Sequence, residues 1–261
     1  HCDVTYSGGF LGKVVASALA LANKISLSLS EVVFVTTEDF ARHSTVLKPY
    51  QSKWRVLPLV IPRPEINHKA ERAIAVMLPK KKYRIGFLGR IAREKGVEYL
   101  LQAVPLLQKT FGDSFMLVFA GPQHVVGEDA YRQRVTVLME KYGEYVFQFG
   151  QVAQHELGAF YASLDVLVIP SINATEAFGM VQVEAMLCST PVVVTDLPGV
   201  RVPVQQTGMG ELVQPGNSAD LAEKLKKVLL QREQYVKKTE VIKKTFSPEK
   251  TVATYKESFS V

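Results

Sequence analysis

Apolar and polar positions along the chain follow two alternating rhythms. Short, β-branched-rich apolar runs at residues 32–36, 55–59, 84–88, 116–121, 146–149, 166–170, 191–195 and 211–213 predict strands. Between them, apolar residues recur every three or four positions, predicting helices at 97–108, 131–142, 155–163, 179–188 and 219–231. Two more polar helices are predicted at 234–245 and 248–259. Strands and helices in alternation predict βαβ units around a mostly parallel sheet, the α/β class.

The rhythm breaks between residues 61 and 82, where Pro62, Pro64, Pro79 and the run Lys80, Lys81, Lys82 predict a connection holding one short helix at most. The expected organisation is a first unit over 1–66, a linker over 67–82, a second unit over 83–245 and a final helix over 246–261. About two strands and two helices lie upstream of the linker, too few to cover both faces of a doubly wound sheet. The first unit is therefore expected to lack its beginning, in keeping with a chain that opens on His1 and has its first Met at Met77. No internal repeat and no low-complexity tract interrupts the pattern.

Composition narrows the class. With 261 residues, 47% apolar and 21% charged, the chain suits one or two globular domains with real cores. Cys2 and Cys188 stand far apart, outside any CxxC or Cys/His spacing, so neither a disulfide framework nor structural zinc is expected, and a reducing, cytoplasmic setting is. The most apolar stretch, residues 14–22, is too short to span a bilayer. A net charge of +6 suits an anionic partner: phosphate, an acidic membrane surface or nucleic acid. Nucleic acid is disfavoured, because the basic residues do not interleave with aromatic runs and no binding motif appears.

The chemistry concentrates in two places. Arg90 follows the first strand of the second unit, and Lys95 and Gly96 open the next helix. Ligands of open α/β sheets bind at the carboxyl ends of the strands, so both cations are expected in that crevice, suited to a diphosphate. Further on, Glu176 and Glu184 flank seven residues, with Gly179 where a loop becomes a helix. Backbone amides at that helix start make a second anion site. Were the stretch helical throughout, the carboxylates would stand about 12 Å apart along the axis, a span suited to a nucleotide sugar. One could take sugar hydroxyls and the other ribose hydroxyls. Either Glu alone could simply complement the helix dipole or face solvent; both, with the glycine and the two cations, point to a ligand.

These residues resemble the retaining GT-B glycosyltransferases of glycosyltransferase family four. The resemblance runs through Phe87, Leu88, Gly89, Arg90 with Lys95, Gly96; Phe119, Ala120, Gly121; 165–171; the Glu-seven-Glu segment; 191–196; Pro198, Gly199; and Leu212, Val213, Pro215, Gly216. It implies two Rossmann-like domains, the second complete, and a final helix, opening at Phe246, Ser247, Pro248, Glu249, that crosses back to the first. It implies that Arg90 and Lys95 bind a donor diphosphate, that Phe178, Gly179 and Met180 offer amides to sugar and phosphate, and that Glu184 holds the ribose of a nucleotide such as UDP or GDP. Glu176 and His1 are the implied catalytic residues, Glu176 holding the donor sugar and His1 lining the cleft.

The implied activity is transfer of a sugar from a nucleoside diphosphate sugar to an acceptor hydroxyl with retention. The leaving phosphate would help deprotonate the acceptor, and cations and a helix terminus would stabilise its charge without metal or other cofactor. The acceptor, whether glycan, lipid or small molecule, is left open. Alternatives are another GT-B enzyme, such as a sugar-nucleotide epimerase or a phosphorylase, and a non-catalytic module binding nucleotide sugars or an anionic membrane surface through its paired lysines. Three departures from the family pattern stand out: Ser189 where Gly, often at positive φ, is common; Pro122 and Gln123 without a second glycine; and Val202 in place of an acid.

Overall fold

The structure is a computed structural model that describes residues 10–122 and 127–259. His1, Cys2, Gln123 and His124 lie outside the described residues. The first unit consists of α1 (Phe10–Leu29), β1 (Val33–Val35), α2 (Glu38–His43) and β2 (Trp54–Val56), with the two strands paired in parallel. Strand β2 stops earlier than the apolar run suggests, because Pro58 has no amide with which to continue the ladder. Helix α3 (His68–Met77), capped by the Asn67 side chain, leads into the second unit.

There the chain runs β3 (Tyr83–Leu88), α4 (Val97–Gln102), α5 (Val104–Phe111), β4 (Phe115–Ala120), α6 (Asp129–Lys141), β5 (Val146–Gly150) and α7 (Leu157–Ala162). It continues through β6 (Val166–Ile169), α8 (Met180–Leu187), β7 (Val192–Thr195), α9 (Val202–Thr207), β8 (Gly210–Val213) and α10 (Ser218–Leu230). Three helices close it: α11 (Arg232–Tyr235), α12 (Thr239–Thr245) and α13 (Pro248–Phe259). All eight expected strands are present. Two expected helices are broken in two. Pro105 removes an amide and crowds the preceding turn, separating α4 from α5. Tyr235 and Val236 pack against opposite core clusters, which one continuous helix face cannot serve, and α11 ends there.

The six strands of the second unit are all parallel, in the order β5-β4-β3-β6-β7-β8. Successive residues point to opposite faces, so Leu167 and Ile169 join one core cluster while Val166 and Val168 join the other. Helices α3, α7, α8 and α12 cover the first face, and α4, α5, α6 and α10 cover the second. The chain progresses outward from β3 in one direction and from β6 in the other. The crevice between the carboxyl ends of these two strands is thus the topological switch point, where doubly wound sheets hold their ligands.

Helix α13 returns to the first unit. Tyr255 stacks on Phe34 with ring centroids 5.8 Å apart, and the Thr251 hydroxyl donates to the Pro58 carbonyl at 2.8 Å.

Candidate active site

Two loops meet at the switch point. The β3 loop ends in a 3-10 turn, Arg93–Lys95, closed by Gly96 at φ +61, and a Cβ at Gly96 would meet the Pro170 carbonyl oxygen at 2.2 Å. Only glycine permits that backbone and that approach. The Ile172 amide donates to the Glu94 carbonyl at 2.9 Å, locking the β6 loop to the β3 loop. Thr195, fully buried at the end of β7, places its hydroxyl 2.9 Å from the Ile169 carbonyl and 2.6 Å from that of Ser171. The crevice wall is therefore hydrogen-bonded on both sides.

Across this junction Lys95 Nζ and Glu176 Oε2 lie 2.5 Å apart, both largely shielded from solvent. The Ser171 hydroxyl is 3.4 Å from the same carboxylate oxygen. Two residues separated by 81 positions are brought into direct contact. Arg90 stands nearby in sequence but is half-exposed, and its Nη2 pairs with Glu94 at 3.0 Å. Gly179 occupies the left-handed region at φ +72 and forms the cap of α8, so the helix begins at Met180, one residue later than its apolar pattern suggests. The Gln182 amide donates to the Gly179 carbonyl at 3.0 Å, while the amides of Met180 and Val181 have no carbonyl within the helix to pair with. Phe178 is buried edge-on against Phe246, at 6.2 Å between ring centroids, while the Met180 side chain is half-exposed.

Glu184 lies one turn into α8 and does not meet Glu176. Residues 176–179 are not helical, so a uniform helical rise does not set the spacing of the two carboxylates. The Tyr161 hydroxyl donates to Glu184 Oε2 at 2.6 Å. Burial, and then the neighbouring Glu184 charge, push the Tyr161 phenol far above its ordinary value, so it serves as a fixed donor. Cys188, one further turn along, is buried, and burial raises its thiol to about 11, which rules it out as a nucleophile near neutral pH. Among the described residues no group of three His, Cys, Asp or Glu side chains could hold a metal ion.

Residues 69–245 match the protein family described as Glycosyl transferases group 1. The chain belongs to that family. It is 37% identical over 146 residues to the 2-deoxystreptamine glucosyltransferase of Streptomyces kanamyceticus, a match covering 56% of this chain and 36% of that protein. It is 28% identical over 214 residues to the D-inositol 3-phosphate glycosyltransferase of Arthrobacter sp. (strain FB24), covering 82% of this chain and 48% of that one. The chain thus spans between about a third and a half of the length of these two curated relatives.

Among solved structures it superposes on sucrose-phosphate synthase from Thermosynechococcus elongatus with a TM-score of 0.76 and 25% identity, covering 93% of this chain and 61% of that one. Anabaena Alr3699/HepE, solved in complex with UDP and glucose, gives a TM-score of 0.77 at 20% identity, with 93% and 66% covered. The fold is that of GT-B glycosyltransferases, two Rossmann-like units of which the second is the more complete.

Within this group 1 chain, three features of the site escaped the sequence. Gln182 was legible in principle: with Glu184 it is one of two polar residues in the otherwise apolar run of α8, and it is fully buried. Tyr161 carried no signal beyond an aromatic at a core position. Asp39 and Arg201, 162 positions apart, form a bidentate pair between the two units, with Arg201 Nε 2.9 Å from Asp39 Oδ2 and Nη2 2.7 Å from Oδ1. Burial opposes ionisation of Asp39, but the Arg201 fork and the Gly199 amide outweigh it and hold the carboxyl below its ordinary value. Of the departures, Ser189 does adopt φ +64, the only non-glycine among the described residues with positive φ. It occupies the C′ position of a Schellman motif after α8, with Ser189 N–H on the Met186 carbonyl at 3.0 Å and Thr190 N–H on that of Ala185 at 3.0 Å.

Proposed function

We propose that the protein transfers a sugar from a nucleoside diphosphate sugar to an acceptor hydroxyl with retention of anomeric configuration, its donor held at the β3/β6 crevice. The observation that carries this reading is the meeting of Lys95 and Glu176 beside the Gly179 start of α8. A cation, a carboxylate and a set of inward amides at one switch point suit a ligand with phosphate at one end and hydroxyls at the other. Lys95, Arg90 and the amides of Phe178, Gly179 and Met180 take the diphosphate. Glu176 takes sugar hydroxyls, and Glu184, oriented by Tyr161, takes those of the ribose.

A donor bound this way inserts between Lys95 and Glu176, exchanging their mutual contact for one with phosphate and one with sugar. As the glycosidic bond breaks, charge grows on the leaving diphosphate, where Lys95 and the helix terminus already stand. Such preorganised stabilisation needs no metal. Residues 1–66, with His1, belong on this reading to the acceptor side, 67–82 connect the units, 83–245 hold the donor, and 246–261 cross back. The acceptor is left open between small molecule, glycan and lipid. Peripheral contact with an anionic membrane is a subsidiary proposal resting on the paired lysines, although Lys227 is tied to Glu211 at 2.7 Å and Lys243 to Glu240 at 3.0 Å. No helix among the described residues is long and apolar enough to cross a membrane.

Calorimetric titration with UDP, GDP, ADP and their sugars tests the donor site. Lys95→Ala and Arg90→Ala are expected to weaken diphosphate binding about tenfold or more, with little effect on the free nucleoside. Glu184→Ala is expected to weaken every ligand containing ribose, and Glu176→Ala to spare the nucleoside diphosphate while losing preference for its sugar. Equal losses from both Glu variants across all ligands would unseat the assigned roles, and a chelator that abolished transfer would unseat the metal-free mechanism.

A further inference from the structure

The loop carrying Glu176, Phe178 and Gly179 leans on the turn that follows β7. Gly199 lies between them at φ +82, where a Cβ would meet the Ala177 carbonyl oxygen at 2.1 Å and Phe40 Cβ at 3.0 Å. Helix α2 of the first unit, the β7 turn and the donor loop therefore converge on one glycine. On the outer side, Asp39 accepts from the Gly199 amide at 2.8 Å and from the Arg201 fork. On the inner side lies Gln182, with none of its surface exposed. Its Nε2 donates to the Phe178 carbonyl at 2.5 Å and to the Val200 carbonyl at 3.0 Å, one hydrogen to each loop.

The same side chain leaves its Oε1 buried without a hydrogen-bond partner. An apolar residue of similar length would remove that unpaired oxygen but also the two hydrogens that satisfy the Phe178 and Val200 carbonyls, so the glutamine is accounted for by its donors and not by its acceptor. What only the amide supplies is a paired link between the two loops.

We propose that Gln182 is a positioning residue that couples the Asp39–Arg201 contact between the units to the donor loop at residues 176–179. The approach of the first unit fixes Asp39, Asp39 fixes the turn at 199–201, and Gln182 passes the position of Val200 to Phe178 and so to the cap of α8. The mechanical coupling stands on the contacts alone; its consequence for the ligand rests on the donor-site reading above.

Hydrogen exchange of the segment 175–181 tests the coupling without any ligand. In the full chain, Asp39→Asn and Gln182→Met are each expected to speed exchange there roughly three- to tenfold, while the melting temperature reports global stability separately. In the double variant exchange is expected to be no faster than in Gln182→Met alone, because the link that Asp39 acts through is already cut. Additive effects, or an Asp39→Asn segment exchanging at the parent rate, overturn the proposal. If Met at this position prevents folding, Gln182→Asn, which keeps the amide but cannot span both loops, completes the same cycle. Titration with UDP and UDP-glucose then reads the consequence: the preference for the sugar nucleotide is expected to fall in both single variants. A parent chain that binds neither ligand would remove the donor-site reading and leave the exchange result to decide the coupling.

Discussion

In the second unit, neighbouring residues such as Leu167 and Val168 point to opposite faces of the sheet and both are fully buried, because six strands carry helices on either side. In the first unit, Val33, Val35, Ala41 and Trp54 make up a single small cluster, and α1 shows Leu19, Leu21, Ile25 and Leu29 to solvent. Both units use the same parallel βα grammar. They differ in how many strands share each face, and a two-stranded sheet cannot shield a 20-residue apolar helix. The second unit therefore supplies the rigid frame, and the first is held to it by specific contacts: Asp39 with Arg201, and α13 with Phe34.

Truncating the core puts the sharpest test on this contrast. Leu167→Ala is expected to cost about 3–5 kcal/mol in chemical denaturation, whereas Leu19→Ala in α1 is expected to change stability by less than about 0.5 kcal/mol. Similar costs at both positions would mean that α1 packs against more than the described residues show. Next in size, Tyr161→Phe is expected to cost about 1.5–3 kcal/mol, since it leaves the Glu184 carboxylate without its buried donor; the same denaturation experiment reads it.

Acidification probes the join between the units. The Asp39 carboxyl is held below its ordinary 3.8 in the folded chain, so its contribution is complete above that pH and is lost as pH falls through the lowered folded value. Stability measured below about pH 4 is expected to fall less steeply in Asp39→Asn than in the parent, and identical slopes would contradict the assignment. The smallest expected effect is a gain. Ser189→Gly relieves a left-handed residue in the Schellman motif and is expected to stabilise the second unit by up to about 1 kcal/mol, visible as a rise in melting temperature.

The strands were legible because a buried parallel strand leaves a short, β-branched signature that needs no partner to be recognised. Helix breaks were less so: 97–108 is expected as one helix although Pro105 lies within it, and the break after Tyr235 arises from which core cluster each neighbour faces, a property of the assembled sheet. At the candidate site, Lys95, Glu176 and Gly179 could be picked out by residue type and spacing. Their arrangement could not, because the contact of Lys95 with Glu176 depends on β3 and β6 lying side by side, while helical arithmetic between Glu176 and Glu184 fails where residues 176–179 leave the helix. Ser189 shows local chemistry read correctly from sequence, since its positive φ follows from the turn that ends α8.

By itself the sequence determined the α/β class, the strand positions and the glycine that opens α8, consequences of short-range periodicity and backbone stereochemistry, while the family followed from the resemblance of its motifs. Tertiary structure alone decided that Lys95 meets Glu176, that Tyr161 serves Glu184, and that Asp39, Gly199, Arg201 and Gln182 form one connected set across two units. Hydrogen bonds such as these, between residues 18 to 162 positions apart, leave no periodic trace, because their geometry exists only once the sheet order has brought the loops together.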